Sequence, residues 1–374
     1  MNNKKYSDEA ICIRRQLHKI PELGFCEFKT QQYILEYLKE LGYEPLVVAQ
    51  TGVLCFIDYG HENTIALRCD MDALPISEAV NSEYKSEHMG VMHACGHDAH
   101  MSMLLTVAKY LHEEDFIPSS NVLLIFQPAE EGPGGAQIIV NDGILEKYKV
   151  SKIYGFHLFP GVEYGKIACR SGEFFAGSVE VYFKIKGEAS HGAQPHIGRD
   201  ALAACANLVI QLNAISAKAI NPLDDVVLCI GKMDAGDRLN IIASHASIEG
   251  TLRSFNESVK NKMLTKIQSV CDGIAISFGV DVEFEPIPFY PPVINNDDVY
   301  NEVKMKLESE LVEAEKVMLS EDFSYYAQKV PALFMLLGID DGNSNHRNPL
   351  HSDNFDFNDD VLFHGIKAYI KLLQ

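Results

Sequence analysis

The chain has 374 residues, 47% of them hydrophobic, which is more than one compact domain usually needs, so two domains are expected. Its 52 acidic residues outnumber 32 basic ones for a formal charge of -20, which repels a phosphate backbone and sets nucleic acid aside as a partner. No uncharged apolar run reaches the ~18 residues of a membrane span, and MNNKKYSDEAICIRRQLHKI lacks the apolar stretch and cleavage site of an export signal. Nine scattered cysteines, an odd number, fit a reducing compartment better than a disulfide framework, and a cytoplasmic location is expected.

The first segment, SDEAICIRRQLHKIPELGFCEFKTQQYILEYLKELGY, reads as two helices broken at Pro21, the second ending near Gly42. Short β-rich runs follow at VLCFIDYG and TIALRCDMD, then a helix from about Ala99 to His112 and a strand at NVLLIFQ. This alternation indicates an α/β fold with a sheet and flanking helices. From about Glu173 to Pro288 the order becomes strand, helix, strand, strand, helix, strand, the pattern of a ferredoxin-like α+β unit. Residues 173–288 are therefore expected to form an inserted domain. Residues 1–172 and 289–374, the latter with a helix at NDDVYNEVKMKLESEL, a strand at ALFMLLGI and a last helix from Asp359, would form one discontinuous domain.

Four polar groups follow or lie close beyond apolar runs: DMD, PAEEGPGG, the histidine of YGFH, and PLHSD. Ligands of open α/β sheets collect where the carboxyl ends of strands open into loops, so these groups are expected to converge. HACGHDAH places Cys95 and His97 on either side of a glycine, with His93, Asp98 and His100 beside them. A thiolate and an imidazole favour zinc or another transition metal, although Cys-x-His alone is more often a polar loop with a buried thiol. Glu130 and Glu131 are neighbours whose side chains can take different tasks, one holding metal and the other moving protons. An isolated Glu-Glu pair is more often a solvated turn, but this one lies between an apolar strand and a glycine-rich segment. His157 and His351 complete a joint inventory of one thiol, three imidazoles and carboxylates, which suits a two-metal hydrolase. In the inserted unit His191, Asn240 and Arg253 could bind a substrate carboxylate or carbonyl oxygen, although each alone is an ordinary polar residue.

Taken in order, RRQLHKIPELGF, DMDALP, HACGHDAHM, FQPAEEGPGGA, YGFH, EASHGAQPH and PLHSDNFDF resemble the M20 metallopeptidases over essentially the whole chain. The nearest branch is the amidohydrolase group of hippurate hydrolases, auxin-conjugate hydrolases and N-acyl-amino-acid deacylases, and two segments also resemble N-acetyl-diaminopimelate deacetylases. The resemblance implies that Cys95, His97, Glu131, His157 and His351 ligate two divalent ions, drawn from zinc, manganese, cobalt or nickel, with Cys95 able to bridge them. It implies Glu130 as the general base, and His191, Asn240 and Arg253 as substrate contacts on a lid that also forms a homodimer. The chain departs from aminopeptidase-like branches at Asp70-Met71-Asp72, where those have His-x-Asp. Asp70 is therefore not assigned as a ligand, and Asp72 is read as a residue that orients one. The implied activity is hydrolysis of a small N-acyl amino acid; a non-catalytic, metal-stabilised scaffold is the alternative of another class, disfavoured by the surplus of ligands and the adjacent carboxylate.

Overall fold

The computed structural model describes residues 3–374. The chain divides into two compact units. One comprises the residues through Phe174, Ile294–Glu315 and Asp322–Gln374; the other comprises Phe175–Val293 and Lys316–Glu321.

The first unit opens with α1 (Asn3–His18) and α2 (Phe28–Glu40). Helical spacing puts Tyr6, Ala10, Ile13 and Leu17 of α1 on one buried stripe, and Thr30, Ile34 and Leu38 on that of α2. β1 (Leu46–Val48), β2 (Gly52–Ile57), β3 (Thr64–Asp70), α3 (His97–Glu113), β4 (Asn121–Gln127), α4 (Gly135–Asn141), β5 (Val150–Glu163) and β6 (Ile167–Cys169) follow. Every residue of β3 and β4 is buried, as expected of central parallel strands covered on both faces.

The second unit contains β7 (Gly177–Lys186), α5 (Ala201–Ala219), β8 (Val226–Ala235), β9 (His245–Ser254), α6 (Glu257–Phe278) and β10 (Asp281–Tyr290). Its four strands run β8-β9-β7-β10, all pairs antiparallel, which is the ferredoxin-like strand order expected from the sequence. Val179, Val181, Phe183 and Ile185 alternate onto the face covered by α5 and α6, while Lys184 and Lys186 are exposed. Asp200 and Asn256 cap the two helices through side-chain oxygens. The segment Lys316–Glu321, which the sequence reading leaves in the first domain, clusters with this unit. Its backbone is tied there: Ala176 N–H donates to the carbonyls of Val317 and Leu319, and Arg253 Nη1 donates to that of Met318 at 2.7 Å.

The chain returns to the first unit through α7 (Asp297–Leu307), β11 (Leu311–Glu313), β12 (Ala332–Asp340) and α8 (Leu362–Leu372). The completed sheet has eight strands in the order β1-β2-β4-β3-β5-β12-β6-β11. It is mixed: β4, β3, β5 and β12 run parallel in succession, β1–β2, β2–β4 and β12–β6 are antiparallel pairs, and β6–β11 is parallel. The α/β architecture read from the sequence is met. One local expectation is corrected: His157 does not end its strand. β5 continues to Glu163 because β12 pairs with it that far. His157 nevertheless reaches the carboxyl edge of the neighbouring strands, since it lies two residues beyond the last β3–β5 pair, Arg68 with Gly155, as does Asp70 on β3.

Candidate active site

Where β3 and β4 end, their loops are held by a carboxylate. Asp72, fully buried just beyond β3, accepts the peptide N–H of Glu130 at 2.9 Å and that of Glu131 at 3.0 Å. The two glutamates lie in a turn, entered through Ala129, which adopts a left-handed φ of +54°. Glu130 is buried and Glu131 is partly exposed.

For His97 and His157 a backbone carbonyl takes Nδ1 and leaves Nε2 available to an ion. His97 opens α3, and its Nδ1 donates to the carbonyl of Asp72 at 2.9 Å. Its Nε2 is buried and has no hydrogen-bond partner among the described residues. His157 Nδ1 donates to the carbonyl of Leu158 at 2.7 Å, so its Nε2 presents a lone pair, 3.2 Å from Cys95 Sγ. His351 has φ +64°, its N–H donates to the carbonyl of Ala94 at 2.9 Å, and its Nε2 lies 3.0 Å from Glu131 Oε1.

Among the described residues five sets of candidate donor atoms lie within 4.8 Å of one another, three of which are Cys95, His97 and His157; Cys95, Glu131 and His351; and His97, Glu130 and Glu131. The first two share the Cys95 sulfur, the arrangement of a thiolate able to face two ions. Burial would lower His97, but Asp70, Asp72 and Glu131 outweigh it and hold the imidazole up at about 10. Burial, helped by the neighbouring His100, drives His157 down to about 3, leaving it a neutral donor. Burial together with Glu131, Glu130 and Asp70 pushes the Cys95 thiol well up. This pocket thus favours positive charge at the unpartnered His97 nitrogen, and a divalent ion meets that demand while stabilising the Cys95 thiolate. The donor set fits a metal pair.

His100 and Asp98 of the HACGHDAH segment are committed elsewhere, while buried His93 hydrogen-bonds through neither ring nitrogen among the described residues. His100 donates from Nδ1 to Asp70 at 2.6 Å and accepts the Leu158 N–H on Nε2 at 2.9 Å, so both nitrogens are engaged. Asp98 turns away to Arg14 and His18, at 2.8 and 2.7 Å. Asp70 also accepts from Arg68 Nη1 at 3.0 Å, so both of its oxygens have partners.

A model of the peptidase family M20/M25/M40 matches residues 66–374. The chain belongs to that family. It is 37% identical over 372 residues to an N-acetyldiaminopimelate deacetylase of Exiguobacterium sibiricum, covering 96% of this chain and 99% of that protein. A second N-acetyldiaminopimelate deacetylase, from Listeria monocytogenes serotype 4a, is 36% identical over 371 residues, with 96% and 99% of the two chains covered. Among solved structures, the Bacillus subtilis YXEP protein, a dinuclear metal-binding peptidase of the M20 family, superposes with a TM-score of 0.86 at 30% identity, covering 99% of this chain and 98% of that one. As an M20 member the chain is an amidohydrolase, the enzyme class its motifs resemble.

In the second unit, Ala193 N–H donates to His191 Nδ1 at 3.1 Å, which leaves the proton of a neutral ring on Nε2, where it can be donated. Asn240 lies opposite: its carbonyl accepts the Gly192 N–H at 2.8 Å, and a side chain at Gly192 would come within 3.0 Å of that oxygen. Arg253 is half-buried and spends Nη1 on Met318 and on Ser320 Oγ.

Apart from Asp72, the supports of the site are absent from the sequence expectations. Arg68, fully buried in β3, donates to Gln127 Oε1, Asp70 and Asp322, and Asp322 accepts in turn from Gln127 and from the N–H of Ala136. The lone arginine inside TIALRCD was the available signal, since a guanidinium in an apolar strand requires buried acidic partners. Glu27 was missed as well; its carboxylate accepts the N–H of Ala129 at 2.9 Å.

Proposed function

We propose that this M20 enzyme removes the acetyl group of an N-acetylated diamino dicarboxylic acid of the diaminopimelate type, with Glu130 as general base. The observation that carries the reading is Glu130 itself: a buried carboxylate, anchored through its peptide N–H by Asp72, beside ligand sets that share Cys95. The substrate is supported by the deacetylase relatives, which match this chain over nearly its whole length.

Cys95, His97, Glu131, His157 and His351 would hold the two ions, whose contribution when bound is Lewis-acid polarisation of the amide carbonyl and acidification of a water. Glu130 takes the proton from the attacking water and returns it to the departing amine nitrogen, so that water and amide become acetate and free amine. His97 and His157 are held in the required tautomers by the carbonyls of Asp72 and Leu158, and Asp72 keeps the two glutamates beside one another. His191 would donate Nε2–H to the developing oxyanion, with Asn240 and Arg253 recognising the oxygens of the amino-acid moiety.

The second unit would act as lid and dimerisation surface, in a cytoplasmic homodimer. A reducing compartment is supported by all nine cysteines being free thiols, and among the described residues no helix is long and apolar enough to cross a membrane.

The test is amine release by metal-stripped enzyme from N-acetyl-diaminopimelate and from N-acetyl, N-benzoyl and aminoacyl amino acids, before and after adding zinc, manganese, cobalt or nickel. Metal-restored cleavage, fastest on N-acetyl-diaminopimelate, is expected. Equal rates on simple N-acyl amino acids would overturn the substrate assignment and leave a broad deacylase.

A further inference from the structure

We infer that Glu27 is a positioning residue for the Glu130 loop, acting through the backbone of Ala129; the inference rests on the reading of Glu130 as the base. Glu27 occupies the position before α2 where a short Asp, Asn, Ser or Thr side chain ordinarily caps the helix, and its longer side chain makes no cap. Glu22 does that work instead, its Oε2 accepting the N–H groups of Lys29 at 2.9 Å and Thr30 at 3.0 Å. Glu27 is thereby released from α2, and it is wholly buried.

Both of its oxygens are used. One accepts the Ala129 N–H at 2.9 Å and the other accepts the Thr51 hydroxyl at 2.6 Å. With the two bonds from Asp72, three consecutive peptide N–H groups, those of Ala129, Glu130 and Glu131, are each met by a carboxylate oxygen. The first of the three carries the strain, because Ala129 is a non-glycine residue at φ +54°. The Ala129 carbonyl accepts in turn from the N–H groups of Gly134 and Gly135, so the loop closes on the residue that Glu27 grips. Gly24 presses on the same loop: a side chain there would come within 2.7 Å of the Gly132 carbonyl and 3.0 Å of the Ala129 methyl. A carboxylate taken fully out of water to meet one strained peptide and one hydroxyl is expensive unless those bonds fix something useful. What they fix is the peptide immediately before Glu130. Without Glu27, Ala129 keeps a buried N–H with no acceptor, its left-handed conformation relaxes, and the Glu130 carboxylate shifts relative to the water it must deprotonate.

The test compares Glu27→Ala, Glu27→Gln, Thr51→Val and Glu130→Gln in the full-length, metal-loaded enzyme, with kcat, KM, metal content and Tm measured for each. Glu27→Ala is expected to lower kcat about 10- to 100-fold with KM and metal content held, as misplacement of a reacting group does. Glu27→Gln, which retains an oxygen acceptor for Ala129, should recover kcat to within about threefold of the unaltered enzyme. Hydrogen exchange in the segment 127–136 should rise in Glu27→Ala alone. Should Glu27→Ala fold poorly, Thr51→Val, which frees only the second oxygen, is expected to lower kcat about threefold at unchanged metal content. Wild-type kcat in both Glu27→Ala and Thr51→Val, or losses equal in Glu27→Ala and Glu27→Gln, would overturn the inference. An active Glu130→Gln would instead overturn the assignment of the base, so the two failures are told apart.

Discussion

The carboxylate of Asp72 accepts the peptide N–H of Glu130 at 2.9 Å across 58 residues of sequence, and so joins the end of β3 to the loop after β4. Its second oxygen holds Glu131, and its own carbonyl fixes the tautomer of His97. Asp72→Asn presents an amide N–H to one of the two peptide donors and removes that bond. A fall in kcat of at least about 10-fold is expected, with a smaller loss of metal affinity, as outer partners of metal sites typically show. Steady-state kinetics with metal titration check both.

Glu130→Gln keeps the shape of the side chain and removes its basicity. Turnover should fall by about 10²- to 10⁴-fold, the usual contribution of a positioned acid–base group, while bound metal is retained. Kinetics alongside elemental analysis of the purified variant decide it, and retained turnover would remove Glu130 from the role of base.

Cys95 belongs to two candidate ligand sets, and His351 to one of them. Cys95→Ala should therefore deplete both ions, whereas His351→Ala should deplete mainly one. Chelation of the unaltered enzyme should abolish activity and lower Tm, because an ion that binds only the folded state stabilises it. Metal counts per chain and thermal melts with and without chelator give the comparison. Equal depletion in the two variants would argue against a shared sulfur.

Arg68 is fully buried between Asp70 and Asp322 at 3.0 and 2.9 Å. Arg68→Met leaves two buried carboxylates without their cation and is expected to destabilise the fold by about 3–5 kcal/mol. Asp322→Asn keeps hydrogen-bonding capacity and should cost about 1–2 kcal/mol. Urea unfolding of the metal-free proteins measures both without interference from ion binding.

Glu302 lies between the ammonium groups of Lys152 and Lys306, at 2.6 and 2.7 Å. Burial pushes its carboxyl up, but the two lysines outweigh burial and hold it below its usual value of 4.5. A carboxyl depressed by folding stabilises the native state above its unfolded value, and that stabilisation is lost as pH falls through the folded value. Glu302→Gln should accordingly destabilise by under about 1 kcal/mol at neutral pH, the pair being partly exposed. The difference should vanish as the pH drops below 4.5 toward the lowered value, and denaturant midpoints at several pH values test the slope.

Much of the fold was legible because hydrophobic periodicity is a local property. The stripe of Tyr6, Ala10, Ile13 and Leu17, the continuous apolar runs of β3 and β4, and the strand and helix order of the second unit all register within a few residues of themselves. The residues gathered at the carboxyl edge were also legible, since short polar segments after apolar runs mark where a parallel sheet opens. What the sequence by itself determined is therefore which elements form and which side chains are available for chemistry.

The tertiary structure decided what holds those side chains. His157 lies within a strand because β12 pairs alongside it, and Lys316–Glu321 joins the second unit because the backbone of Ala176 and the side chain of Arg253 bind it there. Glu27 reaches Ala129 across 102 residues, and Arg68 reaches Asp322 across 254. No local pattern encodes such partners. A buried hydrogen bond depends on which strands become neighbours, and strand order is settled by the packing of the whole sheet.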